Sequence, residues 1–84
     1  MIYVDRKGHM VSDLAAWELH EFAAELGLRR EWFHDKRPGG KPGGHPHYDL
    51  TTRKALNRAL RAGARLVGYQ ELMRRHWLNK GVWA

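Results

Sequence analysis

The spacing of apolar residues changes several times along this chain, and each change marks an expected element. Residues 1–4 are β-branched and aromatic and stop at Asp5, the pattern of a short buried strand with Asp5 at its carboxyl tip. Ser12 or Asp13 can cap a helix in which Leu19, Phe22, Ala23 and Leu26 recur at i, i+3, i+4 and i+7. Glu18, Glu21 and Glu25 take its wet side, and Gly27 followed by Leu28 ends it in the Schellman manner. Residues 31–34, with Trp32 and Phe33, form a brief strand candidate; a Pro/Gly loop fills 36–44, and 47–50 reads as another short strand. Thr51 or Thr52 caps a second helix with the core stripe Ala55, Leu56, Ala59 and Leu60 and a stop at Gly63. Residues 64–67 read as a further strand. A third helix over 69–76 places Glu71 in its first turn and Arg74 and Arg75 in its last, as the helix dipole prefers.

The order strand, helix, strand, strand, helix, strand, helix implies right-handed crossovers. The expected fold is α/β, a small, mostly parallel sheet of three or four strands with about three helices. Eighty-four residues hold one such domain, assigned to 1–78, with 79–84 as a C-terminal tail. In sheets of this kind ligands collect at the carboxyl ends of strands beside helix N-termini. Asp5, a loop carrying His9, Asp49 and the helix start at 51–54 are all expected at such ends.

Charge sharpens that picture. The net +6 is split, because residues 1–35 hold 4 Lys/Arg against 7 Asp/Glu while residues 36–84 hold 11 against 2. A strongly basic half favours an anionic partner such as nucleic acid, a nucleotide or a phosphorylated protein; its plain alternative is a solvated surface kept for solubility. The absence of cysteine excludes disulfides and thiolate metal sites and leaves imidazole and carboxylate as the strong ligands. Neither a signal peptide nor an apolar run of bilayer length is legible, so a soluble, cytoplasmic protein without a membrane partner is expected.

The chemistry-bearing residues concentrate after the Pro/Gly loop, itself studded with Lys36, Arg37 and Lys41. His45, His47 and Asp49 alternate, and in an extended chain alternate side chains share a face. The run looks like the first part of the His-x-His-x-Asp-His zinc motif of the metallo-β-lactamases. However, Leu50 stands where the last His belongs and the chain is far too short for that fold. No cofactor is therefore expected; a divalent metal, if bound, would use His47 and Asp49 and recruit Asp5, His9 or His20. His9 can serve as general base, ligand or loop hydrogen-bonder, and His20 is expected at a core edge. Lys54, Arg58, Arg61 and Arg65 draw one cationic stripe, and Thr51, Thr52, Arg53 and Lys54 combine hydroxyls, N–H groups and cations at a helix start. Most of the four tryptophans are expected in the core.

Tyr3-Val4-Asp5, Gly8-His9, Glu18-Leu19-His20, Trp32-Phe33, His47-Tyr48-Asp49-Leu50 and Ala62-Gly63-Ala64 together resemble a family of short bacterial and phage proteins catalogued as domain of unknown function 4031. The resemblance spans residue 2 to about residue 73. It implies that Asp5, His9, His20, His47, Tyr48 and Asp49 correspond to the family's polar positions, and it transfers no activity. The insert over 38–44 is longer than the loop of that family. The element order is also similar to that of the BRCT fold, whose phosphate-binding hydroxyl and lysine would find their nearest equivalents in Ser12 and Lys54.

Three functions follow as expectations. The leading one is recognition of phosphate groups of nucleic acid or nucleotides, with Thr51, Arg53, Lys54, Arg58 and Lys41 supplying electrostatics and His47 and Asp49 orienting the ligand. The second is a small hydrolase of phosphodiester or glycosidic bonds, in which His9 and His47 act as acid and base with Asp5 or Asp49 in support. The third is a module that binds a protein partner.

Overall fold

The first strand, β1 (Ile2–Val4), runs into a tight reversal. In the computed structural model, which describes residues 1–34 and 46–78, the Gly8 N–H donates to the Asp5 carbonyl and the Asp5 N–H to the His9 carbonyl, both at 3.1 Å. Gly8 closes the turn at φ +94°, a conformation that only glycine adopts at little cost. The chain therefore doubles back at once into β2 (His9–Ser12), antiparallel to β1, with Tyr3 opposite Val11 and Val4 opposite Met10. The loop expected around His9 is in fact the start of a strand.

Ser12, expected to cap the first helix, is a buried strand residue. Its hydroxyl donates to Glu18 at 2.6 Å and accepts from the Leu14 and Ala15 N–H groups, ordering the approach to α1 (Ala16–Glu25). The N-cap itself, Ala15, has no side-chain cap. At the other end Gly27 adopts φ +79°, and the Leu28 and Gly27 N–H groups bond the Ala23 and Ala24 carbonyls at 2.9 and 3.0 Å, the Schellman closure. A 3-10 turn (Arg30–Trp32) leads into β3 (Phe33–His34). The cationic loop, with Lys36, Arg37, Lys41 and His45, lies outside the described residues, as does the tail over 79–84. β4 (His47–Asp49) precedes α2 (Arg53–Arg61), whose Thr52 cap accepts from the Ala55 N–H at 3.1 Å; β5 (Arg65–Leu66) and α3 (Tyr69–Leu78) complete the order.

Among the described residues the sheet has five strands in the order β3-β4-β2-β1-β5, and only β1 and β5 pair in parallel. The expectation of a mostly parallel, three- or four-stranded, BRCT-like sheet is thus corrected to a mixed one. The reason is local: the turn at 5–8 inserts β2 at the sheet centre, and β4 and then β3 add to it antiparallel. The α/β class and the three helices stand.

Alternation along the strands separates two faces. Ile2, Val4, Met10 and Tyr48 point into the main core with Leu19, Ala23 and Leu26 of α1 and Ala59 of α2. Tyr3 and Val11 point the other way, where Leu72 of α3 packs on them with Val67 and Met73. The same alternation sends His9, His47 and Asp49 to the α3 face, beside rather than beneath that helix. Among the described residues no helix is long and apolar enough to cross a membrane.

Candidate functional site

Asp5 anchors the site. Its carboxylate is 1% exposed and fully engaged: Oδ1 accepts from the Lys7 and His9 amides at 2.9 and 3.0 Å, and Oδ2 faces His9 Nδ1 at 2.8 Å. Because a carboxylate can only accept, this contact assigns a proton to His9 Nδ1 and leaves Nε2 as the nitrogen turned away from Asp5. A buried carboxylate that fixes the tautomer and orientation of an accessible imidazole is the arrangement shared by general bases and by metal ligands.

Strand pairing extends this pair into a row. His9 stands opposite Asp49, and His34 opposite His47. The His47 ring lies 5.5 Å from the rings of both His9 and His34, and Asp49 receives the Nε2 atoms of His34 and His47 at 3.3 Å each. Three imidazoles and two carboxylates from β2, β4, β3 and the β1–β2 turn therefore share one end of one face. Tyr69, at the start of α3, closes the row 6.0 Å from His9, with the Lys7 ammonium 5.3 Å above its own ring. His47, Asp49 and His9, the set considered for a divalent metal, are neighbours. Even so, among the described residues no three His, Asp, Glu or Cys side chains are placed to hold a metal ion.

A cationic groove adjoins the row. Arg6, Lys7 and Gly8 of the β1–β2 turn face Thr51, Thr52, Arg53 and Asn57 at the start of α2 across a space of about 530 Å³. The first turn of α2 contains no acid and begins with Arg53 and Lys54, a placement that the helix dipole disfavours. Lys54, Arg58 and Arg61 continue with Arg53 and Asn57 as one exposed surface on the outer side of the helix. Thr51 lines both the groove and a smaller cavity of about 310 Å³ bounded by Trp32, His34 and Asp49, so cations and imidazoles meet at that residue.

Asp5, His9, His47, Asp49, Thr51 and Arg53 thus gather at one sheet end; Lys54 and Arg58 lie along the flank of α2, and Lys41 falls outside the described residues. Sequence reasoning missed Arg6, Lys7, Trp32, His34 and Tyr69. The Asp-x-x-Gly spacing over 5–8 was a turn signal that would have placed Arg6 and Lys7, whereas His34 and Tyr69 join only through strand register and helix docking. Trp17 and Trp32, expected in the core, are exposed. His20 does sit at a core edge, with Nδ1 2.8 Å from the Tyr48 hydroxyl. Burial, aided by the charge of Arg30, lowers its pKa below the ordinary histidine value. Burial raises the pKa of the Tyr48 phenol, against a smaller opposing effect of Arg30.

No curated protein and no solved structure matches this chain. The sequence profile of the family described as protein of unknown function DUF4031 matches residues 3–78, nearly the whole described fold, and the chain belongs to that family.

Proposed function

We propose that this domain recognises phosphate groups of nucleic acid or nucleotides at the end of its sheet. The observation that carries the reading is the meeting at Thr51 of two surfaces, the groove lined by Arg6, Lys7 and Arg53 and the row of His9, His47, His34 and Asp49. Free N–H groups at the start of α2, two threonine hydroxyls and three cations are the donors that a phosphate requires. Arg53 and Lys54 stand at the positive end of a helix without a compensating acid, and a bound anion relieves that cost. The test is anisotropy of labelled single- and double-stranded DNA and RNA with the wild type and a Lys7→Gln/Arg53→Gln variant. A loss of about tenfold or more in affinity is expected, in line with two lost phosphate contacts. Equal affinity would remove the groove from the account.

The Asp5–His9 pair favours a second reading, phosphodiester cleavage. His9 Nε2 would take the proton of the attacking hydroxyl as the new P–O bond forms, and His47 would return a proton to the leaving oxygen as the old one breaks. A His9→Gln variant that binds an oligonucleotide as the wild type does but no longer shortens it supports this reading; a wild type that leaves every bound oligonucleotide intact excludes it.

A further inference from the structure

The cavity beside the groove is lined by Trp32, His34, Asp49 and Thr51 and measures about 310 Å³. Trp32 is 44% exposed although an indole is among the largest apolar groups of the chain, and it sits in the 3-10 turn just before β3. The Arg29 guanidinium lies 5.8 Å from the ring and pairs with Glu31 at 3.4 Å on the exposed surface. The rest of the lining is His34, Asp49, whose two oxygens lie 3.3 Å from the Nε2 atoms of His34 and His47, and Thr51, the residue that also lines the phosphate groove.

An exposed indole at a cavity with one carboxylate, one imidazole and one hydroxyl suits a flat heterocycle with polar groups on its edge. The link through Thr51 sets that heterocycle next to a phosphate. We infer that the Trp32 cavity seats an unpaired nucleobase whose phosphate lies in the Arg6/Lys7/Arg53 groove, an inference that rests on the phosphate reading above. The base stacks on Trp32, its amino or imino N–H groups donate to Asp49, and a duplex is refused because its bases are not free to enter. Stacking of one base on an aromatic side chain accounts for about tenfold in affinity. The ligand is either a free nucleotide or a single strand, and both present the same chemistry.

Calorimetric titration separates these cases, using inorganic pyrophosphate, AMP, a ten-nucleotide single strand and its duplex as probes. The variants are Trp32→Leu, Trp32→Phe and Lys7→Gln/Arg53→Gln, each checked for an unchanged melting curve. The expected result is that Trp32→Leu weakens AMP or the single strand about tenfold, leaves pyrophosphate unchanged and is rescued by Trp32→Phe, while the groove variant weakens all the ligands that bind. Tighter binding of the strand than of AMP marks a polymer ligand; equal binding marks the nucleotide. If Trp32→Leu leaves all probes unchanged while the groove variant weakens them, or if the duplex binds as tightly as the single strand, the base seat is overturned and phosphate recognition stands. If the wild type binds none of the probes, both fall together.

Discussion

Asp5 and Gly8 set the turn that brings β2 back against β1 and seats Leu50 beside it. The Gly8 carbonyl accepts from the Leu50 N–H at 2.7 Å, and a Cβ on Gly8 would run into the Leu50 carbonyl oxygen. With φ at +94° there is no relaxed conformation for an L side chain either. Gly8→Ala is therefore expected to cost about 2 kcal/mol or more and to lower the thermal midpoint by roughly 10 °C. A midpoint unchanged within error would show that the turn does not fix β4 against β2. His20 supplies a different residue-scale prediction. Its folded pKa lies below the unfolded value of 6.5, so the unfolded chain binds the proton more tightly. Stability from this group is present above pH 6.5 and is lost as the pH falls through that value toward the folded pKa. Denaturant midpoints measured from pH 7.5 to 5 are expected to fall less steeply for His20→Gln than for the wild type; parallel curves would remove His20 from the pH response.

Among the elements, α2 combines good local design with an electrostatic penalty. Thr52 caps it, Gly63 at φ +112° closes it with the Ala64 N–H bonded to the Ala59 carbonyl at 3.0 Å, and Ala59 is buried against the sheet. Its exposed side nevertheless lines up Lys54, Arg58 and Arg61 at spacings where like charges cost a few tenths of a kcal/mol per pair. Lys54→Gln/Arg58→Gln is expected to raise stability slightly at low salt while weakening oligonucleotide binding and reducing its salt slope by up to about two counterions. Unaltered binding would reduce the stripe to a solvated surface. The glycine stops of α1 and α2, the Thr52 cap and the core stripes were legible in the sequence because Gly27, Gly63, Thr52 and the 3.6-residue spacing are local signals, whereas the start of α1 was not, Ser12 lying in β2 and Ala15 standing at the N-cap. Strand β2 was not, because His9 and Ser12 flank only two apolar residues and read equally well as a loop and a helix cap. Missing that one strand turned a mixed sheet into an expected parallel one, since β2 sets the direction in which β4 and β3 pair.

At the level of the whole molecule, α1 and α2 cover one face of the sheet, α3 covers part of the other, and the remainder of that second face carries the histidine row. Asp5, His9, Asp49 and the α2 start could be placed together from sequence because β1, β4 and β5 run in one direction, so their carboxyl ends coincide whatever the direction of β2. His34, Trp32 and Tyr69 could not, since only the register of β3 on β4 and the docking of α3 bring them to that end. The charge split along the chain, net −3 over residues 1–35 and +9 over 36–84, sets a basic α2 against an acidic α1. On the proposed reading, that field directs a phosphate ligand to the α2 end of the domain. The most direct test of the account is the anisotropy of a labelled single-stranded oligonucleotide titrated with the wild-type protein from 50 to 200 mM salt, about the range over which counterion release is read. The expected result is binding whose affinity falls linearly on a log–log plot with a slope of about two or more, the value for three phosphate contacts to a single strand, one each for Arg6, Lys7 and Arg53. No binding at the lowest salt, or binding indifferent to salt, would contradict it.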